Sequence, residues 1–242
     1  MKNLKDKVAV ITGGNSGIGY ATAKVLSENN ARVIITGRRK EAVEKAASEL
    51  NVSSLLADQS QLSDIERLVL EVKNQYGKVD ILLINAGVTK FALIALTTES
   101  VFDEIMNVNF RGAYFTLSKF IPILNENASV VFLSSTSATI SPQGASVYAA
   151  SKAAINAVVK IAALELAPRS IRVNAVSPGP IATEIMNKIG LDNTLEKQLM
   201  DGIPLSRLGK PDEVADLITY LSSDSASFIT GSNFLIDGGQ SV

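Results

Sequence analysis

Neither cysteine nor histidine occurs anywhere in the 242-residue chain. Without cysteine there are no disulfides and no thiolate chemistry, a composition that suits a reducing compartment. Without histidine the usual proton shuttle is missing, a Ser-His-Asp triad is impossible, and most transition-metal sites lose their commonest ligand, so no metal site is expected. Any acid–base work falls to tyrosine, lysine or carboxylates. An excess of one charge is missing too: 23 basic residues stand against 24 acidic ones, a formal net charge of −1. Nothing in that balance provides a footprint for nucleic acid or a polybasic patch for a membrane. No apolar run approaches the roughly 18 residues of a membrane span, and the opening "MKNLKDKVAVITGG" lacks the long apolar core of a signal peptide. A cytoplasmic protein with no membrane or nucleic-acid partner is expected.

What the chain has is apolar substance and alternation. Apolar residues make up 46% and charged residues 19%, enough to build a large interior. Short apolar runs read as strands: "VAVIT" at Val8 to Thr12, "RVIIT" at Arg32 to Thr36, "SSLLA" ending at Ala57, "DILLIN" at Asp80 to Asn85, "SVVFLSS" at Ser129 to Ser135, "IRVNAVS" at Ile171 to Ser177 and "NFLID" at Asn233 to Asp237. Helical patterns fall between them, at about 17–28, 40–50, 62–76, 98–125 and 146–167, and again in "PDEVADLITYLSS". Such alternation predicts an α/β fold: a doubly wound, Rossmann-type, seven-stranded, mainly parallel sheet with helices on both faces. No linker, charge block or repeat interrupts it, so residues 1–242 are read as a single domain.

Two local patterns carry chemistry. "ITGGNSGIGYA" lies between the first strand and the first helix, with Gly13, Gly17 and Gly19 in a G-x3-G-x-G spacing. There glycine permits positive φ and close approach of the backbone to a diphosphate, which the N–H groups of the following helix can hold. Tyr20 stands where a Walker loop needs lysine, so a P-loop is excluded. The second pattern is "SVYAASKAA", Ser146 to Ala154, which puts Tyr148 and Lys152 on one helical face. A phenol titrates near pH ~10, and a neighbouring ammonium is expected to lower that value toward the range useful for acid–base catalysis.

"TGGNSGIG" together with "YAASK" resembles the short-chain dehydrogenase/reductase family, and "NAG" at Asn85, Ala86 and Gly87, "VN" at Val108–Asn109, "LSS" at Leu133 to Ser135, "SPGPIAT" at Ser177 to Thr183 and "ITGSNFLIDGG" match its motifs in order. The resemblance covers essentially the whole chain. It implies that Tyr148 exchanges a proton with the reacting oxygen, that Lys152 tunes Tyr148 and holds the nicotinamide ribose, and that Ser135 hydrogen-bonds the reacting oxygen. Asn109 would hold a water in a proton relay. It further implies dinucleotide contacts from Asn15, Ser16 and Ile18 in the glycine loop, from Asp58 near the adenine, and from Pro178, Gly179, Ile181 and Thr183 around the nicotinamide. Gln59, following Asp58, replaces a more usual apolar residue.

At the end of the second strand this fold places an acidic residue against the adenosine ribose hydroxyls. Here Gly37 stands there, followed by Arg38 and Arg39. No carboxylate repels a 2′-phosphate and an arginine fork could grip one, so NADP(H) is favoured over NAD(H), with solvated arginines as the alternative. Ser16 occupies a position where many NADP-dependent members carry a basic residue.

The implied activity is the interconversion of a carbonyl and a secondary alcohol on a small-molecule substrate. A 3-oxoacyl-thioester reductase and a non-catalytic dinucleotide sensor stay open beside it. A variable substrate loop is expected at about 184–204, where Ile185, Met186, Ile189, Leu191 and Leu195 serve either an apolar pocket or the core, and Ser137, Ser141 and Gln143 are candidate substrate contacts. The Tyr148 helix is small or apolar around much of its circumference, which points to a subunit contact, and the resemblance implies a homo-oligomer, tetramer or dimer.

Overall fold

In the computed structural model, residues 4–183, 197 and 199–242 are described. The Ile185–Leu195 stretch of the expected substrate loop lies outside them. Seven strands form one sheet: β1 (Val8–Thr12), β2 (Arg32–Gly37), β3 (Ser53–Leu56), β4 (Val79–Ile84), β5 (Leu124–Leu133), β6 (Arg172–Pro178) and β7 (Asn233–Ile236). Their order is β3-β2-β1-β4-β5-β6-β7, and each neighbouring pair is parallel. Chain order reverses between β1 and β4, so the loops leaving these two strands part to opposite sides and open a crevice at their carboxyl ends.

Alternation along the strands builds two apolar layers. Val8, Val10, Leu82, Val130 and Phe132 pack on one side with α3 (Leu62–Tyr76), α5 (Ala113–Phe120) and α7 (Ser146–Leu166), through Leu68, Val72, Phe120, Ile155 and Val159. Ala9, Ile11, Ile81, Leu83 and Val131 face the other way, onto α1 (Gly17–Glu28), α2 (Lys40–Leu50) and α8 (Pro211–Ser222), through Leu26, Val43, Val214, Ile218 and Leu221. Successive residues of one strand thus feed both layers, which is why the strands read as unbroken apolar runs.

The stretch read as one helix over 98–125 is four elements. After α4 (Glu99–Met106) a π-helical turn runs from Asn107 to Gly112, α5 follows, and a 3₁₀ turn (Ile121–Ile123) leads into β5 at Leu124. Strand β5 therefore begins five residues before Ser129, because Leu124 pairs in parallel with Val79. A short α6 (Ser137–Ile140) and a 3₁₀ turn at Ile94–Leu96 also went unread. Among the described residues, Ser146–Arg169 is long and apolar enough to cross a membrane by length and composition, contrary to the reading above. Its Ile155, Val159, Ala162, Ala163 and Leu166 are buried against the sheet, which accounts for that composition as core packing.

Candidate active site

The crevice holds a cleft of about 270 Å³ that runs from the end of β2 past the glycine loop to α7. Of the expected residues it is lined by Gly13, Asn15, Ser16, Gly17 and Ile18, by Gly37, Arg38, Arg39 and Asp58, by Asn85, Ala86 and Gly87, and by Tyr148, Lys152 and Thr183.

The glycine loop is fixed by its neighbours. Gly13 has φ +66°, and a Cβ there would come within 2.9 Å of both the Ala86 Cα and the Asn85 Nδ2. Asn85 Nδ2 donates to the carbonyls of Thr12 and Gly13 at 2.8 and 2.9 Å, while Thr12 Oγ1 accepts from the amides of Asn85 and Ala86, both at 3.0 Å. The loops after β1 and β4 are thus laced together. At the start of α1 the cap residue Ser16 makes no side-chain capping bond and the first turn carries no acid. The first N–H groups of the helix stay available, with the positive end of its dipole, for an anion in the cleft. A cleft lined by free amides, two glycine-bared loops and a pair of arginines fits a dinucleotide.

Arg38 and Arg39 are exposed, and neither makes an ion pair among the described residues. Arg38 also borders an adjoining cavity of about 300 Å³ with Ser60, Glu104, Asn107 and Arg111. Asp58 has one carboxylate oxygen, Oδ1, taken by the amide and hydroxyl of Ser60 at 2.9 and 2.8 Å.

Lys152 is buried, and its Nζ donates to the Leu133 carbonyl at 2.7 Å and sits 5.8 Å from the centre of the Tyr148 ring. Burial pulls its pKa down to about 8. Tyr148 moves the other way: burial pushes its phenol above the ordinary value, and a hydrogen bond with Ser135 opposes that shift only in part. In the free protein, then, Lys152 does not depress Tyr148 as the i,i+4 spacing suggested, because loss of hydration acts on both groups. Ser135, just past β5, is buried, and its Oγ accepts from the Ser137 amide at 3.1 Å.

Asn109 is buried in the π turn. Its Oδ1 accepts from the Val88 amide at 2.8 Å, and its Nδ2 donates to the Val88 carbonyl at 2.9 Å and to Ser151 Oγ at 3.2 Å. Both side-chain donors are engaged by protein groups, so a water held here would use the main chain.

Six expected residues lie outside the cleft lining: Ser135 and Asn109, placed above, and Gly19, Pro178, Gly179 and Ile181. Gly19 is buried in α1, where a Cβ would come within 2.4 Å of the Gly13 carbonyl oxygen. The Pro178 carbonyl accepts from the Thr136 amide, Gly179 packs on Asp237, and Ile181 is buried in the α1–α8 layer. Ser141 and Gln143 line a separate groove of about 530 Å³ with Leu93, Ile94, Ala149 and Ala150, on a face of α7 that Tyr148 does not share. The cleft is also lined by Thr12, Gln59, Val88, Thr89 and Ser134, to which no site role was expected. Thr12 sits inside the quoted motif, but its two-amide grip depends on β1 lying beside β4.

A family model described as enoyl-(acyl carrier protein) reductase matches residues 13–241. A 3-oxoacyl-[acyl-carrier-protein] reductase of Thermotoga maritima is 37% identical, covering 98% of each chain. The chain belongs to the short-chain dehydrogenase/reductase family. Family members of different activity are similarly near: an NAD-dependent glycerol dehydrogenase of Listeria innocua is 38% identical over 99% of this chain and 96% of its own. A crystal structure of 3-ketoacyl-(acyl-carrier-protein) reductase from Brucella melitensis, complexed with NADH, superposes with a TM-score of 0.93 at 36% identity, covering 99% of this chain and 100% of that one. This family is one of oxidoreductases that use a nicotinamide dinucleotide on carbonyl or CH–OH groups.

Proposed function

We propose that the protein is an NADP(H)-dependent enzyme that interconverts a carbonyl and a secondary alcohol by hydride transfer, with Tyr148 as general acid/base. The observation that carries this reading is the shared cleft: Tyr148 and Lys152 open into the same crevice as the glycine loop and the two exposed arginines. When bound, the nicotinamide supplies or accepts the hydride. Tyr148, its phenol held above the ordinary pKa, carries the proton that a carbonyl oxygen takes up on reduction. Ser135, hydrogen-bonded to Tyr148, positions that oxygen. Lys152 is a cation four residues along the same helix, suited to stabilise the phenolate left after proton transfer. Gly37 removes the carboxylate that would repel a 2′-phosphate, and Arg38 supplies a fork to hold one.

A second reading, reduction of 3-oxoacyl thioesters, is favoured by the Thermotoga and Brucella relatives. One experiment separates the possibilities. Loss of reduced-nicotinamide absorbance is followed with NADPH and NADH across ketones, aldehydes, quinones and 3-oxoacyl thioesters, for the parent and Tyr148→Phe. Turnover favouring NADPH is expected, with the variant slower by about 10²- to 10⁴-fold at nearly unchanged cofactor affinity. The preferred substrate chooses between the two reductase readings. Preference for NADH overturns the Arg38 argument, and tight dinucleotide binding without turnover points to a sensor. Composition without cysteine supports a cytoplasmic setting.

A further inference from the structure

Gln59 is a buried amide where the family pattern prefers an apolar side chain, and its position in the fold gives it work. It follows Asp58 just beyond β3, at the arginine end of the cleft, and is 7% exposed. Its Nε2 donates to two carbonyls, Ala86 and Val108, each at 3.0 Å. Two loops meet at that nitrogen. Ala86 belongs to the turn after β4, whose other atoms hold the glycine loop through Thr12 and Asn85. Val108 belongs to the π turn, immediately before Asn109.

The same two segments are joined a second time, because Asn109 bonds both the amide and the carbonyl of Val88. Gln59 and Asn109 are therefore paired fasteners between the 85–88 turn and the π turn, one from each side. The main chain of Gln59 also abuts the π turn: a Cβ on Gly112 would lie 2.1 Å from the Gln59 carbonyl oxygen. Beyond the turn, a Cβ on Gly87 would come within 3.6 Å of Lys152 Nζ. Hydrogen bonds thus join Gln59 to the 85–88 turn and the π turn, and Gly87 of that turn lies close to Lys152.

We propose that Gln59 is a positioning residue that sets the 85–88 turn against the π turn, and so aligns the reacting end of the cleft from its adenosine end. This rests on the dinucleotide reading above. An apolar side chain at this position would leave the two loops joined by Asn109 alone. Both amide hydrogens of Gln59 point at acceptors, which fixes its orientation, and its Oε1 is buried without a donor.

Gln59→Met keeps length and volume while removing both donors. Two readouts are taken on the full chain. In amide hydrogen exchange, the Ala86 and Val88 amides are expected to lose protection at least about tenfold, while amides in β6 and α8 stay as in the parent. In binding and kinetics, affinity for 2′,5′-ADP, which probes the adenosine end alone, stays within about twofold. Affinity for the whole dinucleotide and kcat each fall about tenfold. Unchanged exchange at Ala86 and Val88 overturns the proposal. So does a loss of protection spread evenly over the sheet, or equal weakening of 2′,5′-ADP and dinucleotide. If the parent itself binds no dinucleotide, the functional reading fails, while the exchange data still decide whether Gln59 holds the turn. Should Gln59→Met not fold, Gln59→Glu serves. Its carboxylate repels both carbonyls at high pH and its protonated form restores one donor, so Val88 protection relative to the parent must recover as pH falls from about 8 to about 5.

Discussion

At the scale of single residues, the proposed chemistry turns on the pair on α7 whose proton affinities burial moves in opposite directions. With the phenol of Tyr148 held above its ordinary pKa and the ammonium of Lys152 lowered to about 8, the neutral-pH state is a proton-bearing tyrosine beside a charged lysine. Under the proposed mechanism that is the form loaded for reducing a carbonyl. The active species loses its lysine charge as pH rises, so kcat/KM for reduction, which reports the free enzyme, is expected to be flat around neutrality and to fall above about pH 8. A pH–rate profile checks this. A decline that sets in only above about pH 10 assigns the inflection to Tyr148 instead. The opposite movement of the two groups could not be read from an i,i+4 spacing. Spacing fixes which side chains are neighbours, whereas their hydration depends on Leu133, Ser135 and the loops that close over α7.

At the scale of elements, the π turn between α4 and α5 places Asn109 where it can grip Val88, and Gly112 ends it against Gln59. Replacing Gly112 by alanine drives a methyl into a backbone oxygen that has little room to retreat. Gly112→Ala is therefore expected to destabilise by about 1–3 kcal/mol, the range of an overpacked core site. Thermal or urea unfolding reads it. Strands and most helices were legible from the sequence because apolar runs and 3.6-residue periodicity are local. The glycine loop and the Tyr148–Lys152 helix were legible for the same reason. The break-up of 98–125 was not. The π turn keeps helical backbone on either side and carries no residue-type signal of its own, and the polar "NENA" at Asn125 to Ala128 joins β5 because Val79 offers Leu124 a partner across the sheet. Gln59 was noticed as a departure, but its two acceptors come from segments 27 and 49 residues away.

At the scale of the whole molecule, α7 has two unlike sides. Ile155, Val159, Ala163 and Leu166 are buried, while Ala150, Ala153, Ala157, Ile161 and Leu164 are exposed, as are Phe102 on α4 and Tyr114 on α5. Exposed apolar residues gathered on neighbouring helices favour association, and light scattering at micromolar concentration is expected to give a mass of two or four chains. A one-chain mass overturns this. The buried ammonium described above has a thermodynamic side as well. An unfolded lysine titrates near 10.5, the native one near 8, so below pH 8 the native state carries a penalty on the order of 3 kcal/mol for keeping that proton. The penalty is released as pH climbs from 8 to 10.5, where the unfolded chain still binds the proton and the native chain does not. Lys152→Met should therefore gain stability relative to the parent at neutral pH, and that gain should shrink to nothing by pH 10.5 in denaturant titrations. A difference that is constant with pH would refute it. If Lys152 serves the proposed reaction, selection for a tougher protein and selection for a working one pull in opposite directions at this residue. A screen scored on heat resistance alone would be expected to return chains that fold well and do nothing.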